Sequence, residues 1–159
     1  MRFASVFALA FAAVVSVTGV AHAQVQVESV VEKEVVVTND GASAVVREPA
    51  DKVLPGETVV YTYILRNTGD APANNVAPST RIPPEMIYVA GSAEGAGATT
   101  TLSADGGESF APEGEVLVQD PDGSLRPARP DEFTNIRWVL DGALAPGAQQ
   151  SVGFKAKLR

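Results

Sequence analysis

From Gln24 to Thr38 the odd positions read Val25, Val27, Ser29, Val31, Lys33, Val35 and Val37, while the even ones begin Gln26, Glu28, Val30, Glu32 and Glu34. A period of two with one apolar face marks a half-buried β-strand, because successive side chains leave a strand on opposite sides. The run is long for one strand. Lys33 interrupts its apolar face. That charge reads either as a bend or a crossing between sheets, or as a device that blunts an exposed edge against stray pairing. Asp40-Gly41 then gives a two-residue hairpin signal that returns the chain through Ala44 to Glu48.

The same period recurs after Pro55-Gly56, a turn signal. Val59, Tyr61, Tyr63 and Leu65 face one way, and Thr58, Val60, Thr62, Ile64 and Arg66 the other. The first set carries more apolar area and is assigned to the core, which leaves the second outside. Asn67-Thr68-Gly69-Asp70 stops the strand in a corner, where Asn and Asp bond their own backbone and Gly is free to take a positive φ. Burial resumes at Val76 and Ile82 until Pro83-Pro84. Short strands are expected over 86–92, 98–103 and 115–119, separated by Gly-rich and acidic loops. In residues 134–140, Ile136, Trp138 and Leu140 point inward and Arg137 and Val139 outward. The last segment repeats the logic of the earlier strand: Val152-x-Phe154-x-x-x-Leu158 matches Val59-x-Tyr61-x-x-x-Leu65, each entered by Pro-Gly.

No helical periodicity follows residue 23. Eight or nine short strands with Gly/Pro turns describe an all-β chain, a two-sheet antiparallel sandwich, with a closed barrel as the alternative. Residues 1–23 read as a secretory leader: Arg2, an apolar run from Phe3 to about Val17, and the small-residue site Ala21-His22-Ala23, cut before Gln24. The apolar run is too short to span a membrane. Residues 24–48 form the N-terminal strand and hairpin, and 49–159 the sandwich, together one domain.

Removing the leader takes Arg2 from the 12 basic residues, leaving 11 against 19 acidic ones and a net charge of −8. The chain has no Cys, and its single His, His22, departs with the leader. Nucleophile–imidazole catalysis and His- or thiolate-bound metals are thereby excluded from the exported chain. Scattered Lys and Arg against an acidic balance argue against a nucleic-acid or anionic-membrane surface.

The ordered run Pro55-Gly56-x-x-Val59-x-Tyr61, Asn67-x-Gly69, Asn75-Val76, Ile82-Pro83, Gly91-Ser92, Asp105-Gly106-Gly107 and Arg137-Trp138 resembles the bacterial and archaeal surface-protein domain of unknown function 11. The resemblance spans about residues 50–158. It implies an immunoglobulin-like sandwich that is exported, non-enzymatic and used as a building block of surface or envelope proteins, often in tandem. Here there is one copy, and Thr80 stands where many relatives carry Asp, so no site is carried over to that position. The family brings no catalytic residues.

Two candidate surfaces remain. In the 119–133 loop, Asp120, Asp122, Asp131 and Glu132 are oxygen donors that could converge on Ca²⁺; Asp-Pro-Asp-Gly is also an ordinary turn. Val31, Lys33 and Val35 on the long first strand form an edge suited to strand addition by another chain. Asp105-Gly106-Gly107-Glu108 reads as turn chemistry and Trp138 as core filling. A carboxylate-pair glycosidase would need an aromatic-lined cleft, and only Phe110 and Phe133 lie outside the strand pattern. The expectation is therefore a non-enzymatic structural or protein-interaction module of a bacterial envelope. It has no catalytic residues, no required cofactor, a protein partner, no nucleic acid, no span after cleavage, and scope for self-association. The alternative is a calcium- or carbohydrate-binding module built on the 119–133 loop.

Overall fold

The computed structural model describes residues 22–39 and 42–159. Most of the expected leader, and Asp40 and Gly41 of the expected turn, lie outside the described residues. Ten strands follow one another: β1 Val25–Asn39, β2 Ala42–Pro49, β3 Thr58–Asn67, β4 Ser79–Arg81, β5 Met86–Tyr88, β6 Ala98–Ser103, β7 Leu117–Gln119, β8 Leu125–Pro127, β9 Asn135–Leu140 and β10 Gln149–Leu158. A single 3₁₀ turn, Glu113–Glu115, is the only helical element among the described residues.

All paired strands run antiparallel. They form a five-stranded sheet in the order β2-β1-β3-β10-β5, a three-stranded sheet β4-β9-β6, and a separate β7-β8 hairpin. Both larger sheets end in free margins, so the architecture is the sandwich and not the barrel, which has none. The matching segments around Val59 and Val152 turn out to be neighbours, β3 and β10. Their register sets Tyr61 opposite Phe154, with the rings stacked at 4.8 Å and 9°.

The core lies between β3-β10-β5 and β9-β6. Val59, Leu65, Tyr88, Val152, Phe154 and Ala156 meet Leu102, Ile136, Trp138 and Leu140. Trp138 fills the space as the alternation requires: it is 1% exposed, with Tyr63 at 5.9 Å and Phe154 at 6.3 Å across the gap. Phe133 joins the same core edge-on to Tyr88. Burial pushes the Tyr88 hydroxyl up to about 12. It donates to Glu113 and accepts from the Ala93 N–H, so its polar end is satisfied.

One assignment is corrected: Val60 belongs to the outward set by pattern yet is 1% exposed. Lys155 stands opposite it on β10, and the Lys155 ammonium reaches Glu34 on β1 at 2.6 Å. This ion pair bridges β3 from the outer side and shields the valine beneath it.

The corner after β3 is held by Asn67, which is fully buried. Its amide donates to the carbonyls of Ala71 and Leu144 and its oxygen accepts from the N–H groups of Gln24 and Gly69. The positive φ expected at Gly69 falls instead at Asn75 (54°). Gly69 is small for a different reason. A Cβ there would stand 2.7 Å from the Gln24 nitrogen and closer still to the His22 carbonyl, so the glycine lets the start of β1 lie against the corner. Gly106 and Gly107 do take positive φ, as a double glycine suggests.

Candidate interaction surface

β1 is longer than the sheet it belongs to. Residues 25–33 pair with β3, with Val27 opposite Leu65 and Val31 opposite Tyr61. Residues 32–39 pair with β2, with Val35 opposite Val46 and Val36 opposite Val45. Only at Glu32 and Lys33 does β1 have partners on both sides. Beyond that point the β1–β2 hairpin projects past the end of β3.

This geometry places Val31, Lys33 and Val35 differently along β1. A two-residue connection folds β2 back beside the second half of β1, so Val35 is covered on that side and Lys33 on both. Lys33 lies inside the sheet, across from Glu48 and 3.9 Å from Glu57, and does not guard a margin. The margin of β2 carries Arg47 and Pro49 instead; the missing N–H of Pro49 falls on the open side, where proline is tolerated.

The open part of β1 is its first half. Backbone groups alternate between the two flanks of a strand. Gln24 accepts from Thr68 on the β3 side, whereas Val31 accepts from Ala50 on the other. The N–H and C=O groups of Val25, Val27 and Ser29 therefore project into the step that β2 leaves vacant. The side chains there are also uncovered, because the three-stranded sheet does not reach over β1: Val27 is 57% and Val31 40% exposed. Of the eight large apolar side chains exposed among the described residues, four (Val27, Val31, Val36 and Val45) lie on this hairpin. Such concentration of apolar surface beside unpaired backbone is the mark of a contact surface.

On the outer face beside the step lies a shallow hollow of 320 Å³ lined by Gln26, Val27, Glu28, Ile64, Arg66 and Gln149. Arg66 donates to Gln149. Among the described residues neither Arg66 nor Glu28 is in an ion pair, whereas Glu34 on the same face is held by Lys155.

The acidic loop is organised around a cation of the chain's own. Arg126, on the unanticipated strand β8, places Nε 2.9 Å from Asp120 and its two terminal nitrogens each 2.7 Å from Glu132. Arg126 holds Glu132 down at about 2, and Glu132 in turn raises the guanidinium. Asp122 caps its own turn through the Ser124 hydroxyl and N–H, which lower it, and Asp131 lies 3.5 Å from Arg129. Sequence position brings all four acids into one loop; the fold brings Asp120 and Glu132 together on Arg126, ties Asp131 to Glu132 through Arg129, and leaves Asp122 apart. Among the described residues no three acidic or imidazole groups gather as a metal cage. Asp105 is likewise a turn anchor, lowered by the Ser103 hydroxyl and then by Ser109. Thr80 bonds the Tyr63 hydroxyl at 3.2 Å. Phe110 packs under Arg137 at 4.1 Å, so the two rings outside the strand pattern do not share a cleft.

No family model matches the chain, and no curated protein or solved structure matches it either. Among the described residues no helix is long and apolar enough to cross a membrane.

Proposed function

We propose that this chain is an exported, non-enzymatic β-sandwich of immunoglobulin-like kind that serves a bacterial cell envelope as a structural or protein-interaction module. The observation that carries the reading is the β1–β2 hairpin: a valine-rich ribbon that outreaches its own sheet, exposed at Val36 and Val45 and unpaired along its margins. Within the monomer Val36 and Val45 gain only their modest cross-strand contact; a partner sheet or chain gains apolar area and main-chain hydrogen bonds. The leader-like start and the acidic, Cys-free composition support export and packing without disulfide staples. The resemblance to the domain of unknown function 11 supports an envelope role.

The hairpin cannot be removed whole to test this, since β1 is a strand of the main sheet. Replacing residues 36–45 with Asn-Gly keeps Val35 opposite Val46 and trims only the overhang. The full chain should co-fractionate with envelope material and cross-link to defined neighbours, and the trimmed chain should lose those neighbours while keeping its β-sheet circular dichroism. Unchanged cross-links in the trimmed chain defeat the reading.

A further inference from the structure

We propose that the open first half of β1 pairs with the same segment of a second copy of this chain, antiparallel about a two-fold axis at Val27. The proposal rests on the envelope-module reading in one respect only, removal of the leader, and it names the partner which that reading leaves general.

The register follows from which backbone groups are free. Odd residues of β1 point into the step, so hydrogen-bonded pairs across the axis must join odd to odd. An axis at Ser29 would set Val27 against Val31, whose carbonyl already accepts from Ala50. An axis at Glu28 would set two glutamates directly opposite each other, an unfavourable like-charge pair. An axis at Val27 sets Val27 against Val27, Val25 against Ser29 and Gln26 against Glu28. Each odd pair exchanges two bonds, roughly six in all.

The shape of the step selects the occupant, and charge is compatible with it. Gln26 lies opposite Arg66 in the monomer's own sheet. In this register the Glu28 of the partner copy therefore falls in the row Glu28–Gln26–Arg66 on the outer face, beside the hollow that Arg66 lines. The two-fold axis repeats the row, with Gln26 between the two charges, so the attraction acts across two strand spacings, roughly 10 Å. The exposed Val27 side chains meet at the centre, and the two five-stranded sheets become continuous. The step is self-complementary: β2 of each copy ends where Pro49 faces Glu32, in line with the start of the other copy's β1. Residues preceding Gln24 of one copy would run into Pro49 and Ala50 of the other, so pairing follows leader removal.

The test uses the chain beginning at Gln24, which carries all ten strands. Sedimentation equilibrium over a concentration series should show a dimer. Glu28→Arg and Arg66→Glu should each weaken it a few-fold at low ionic strength, and the two together should restore it. Val27→Pro removes only an N–H on the open side, so it should abolish the dimer with circular dichroism and Trp138 emission unchanged. The hairpin-trimmed chain keeps residues 25–29 and should still dimerise, which separates failure of this proposal from failure of the overhang's role. Whether the exported protein starts at Gln24 is read independently from its intact mass. A monomer throughout the series, or a dimer indifferent to both the charge swap and Val27→Pro, overturns the pairing.

Discussion

β1 and β3 are adjacent, in register and written in the same period-two code, yet they end in opposite environments. Val27 faces the same way as its partner Leu65, and Val31 the same way as Tyr61. Leu65 is fully buried and Val27 is 57% exposed. The difference is what lies above: Ile136, Trp138 and Leu140 of β9 cover β3 and β10, and the three-stranded sheet ends before β1. Alternation therefore reports which side of a strand is apolar and leaves open whether anything packs on it.

The largest expected effect lies on the covered side. Trp138→Ala should cost about 3–5 kcal/mol and Leu65→Ala about 2–5 kcal/mol, from lost burial plus a cavity. Val27→Ala should stay within about 0.5 kcal/mol. Urea unfolding followed by circular dichroism measures all three, and a Val27 penalty approaching that of Leu65 would erase the contrast.

Asn67 tests the joint between the two regions. Its carboxamide satisfies two carbonyls and two N–H groups in a dry corner, so Asn67→Ala should cost about 1–3 kcal/mol. Amide exchange should quicken first at the start of β1. Gly69→Ala should act on the same joint, more locally. In the chain beginning at Gln24 its methyl group still meets the Gln24 nitrogen, at 2.7 Å, so the start of β1 should lose protection while β9 and β10 keep theirs.

The smallest effect is expected at the β7–β8 hairpin. The Glu132 carboxyl titrates at about 2 in the folded chain instead of 4.5. A depressed carboxylate stabilises the fold above its unfolded pKa, and the contribution disappears as pH falls through the folded one. The melting-temperature gap between the parent chain and Glu132→Gln should thus be present at neutral pH, hold down to about pH 4.5, and close towards pH 2. The pair is exposed, so the gap is small. A gap that persisted at pH 2 would remove Arg126 as its cause.

The sequence made the long strands legible because their period is short relative to their length. β3, β6, β9 and β10 lie where the alternation places them, and Trp138 is inside. Three-residue strands give no period to read: β8 passes for loop, and the expected strand over 115–119 opens as a 3₁₀ turn. The burial of Val60 depends on Lys155 and Glu34, 95 residues later and 26 earlier, and no local pattern carries that. Arg126 did have a signal, since it stands six residues from Asp120 and six from Glu132. A basic residue centred among acids predicts an internal ion pair more readily than an ion cage. Gly69 shows the limit of turn rules: the residue type was informative, and its reason was a neighbouring backbone instead of its own φ.

The placement of β10 has a consequence for when this domain can exist. Residues 149–158 fill the place between β3 and the marginal β5 in the main sheet, and Phe154 and Val152 supply the floor on which Trp138 rests. A nascent polypeptide that has reached residue 148 has β2, β1 and β3 but lacks the strand that joins them to β5. Such contacts are distant in sequence and slow to form. The domain therefore closes late, after synthesis has passed β10.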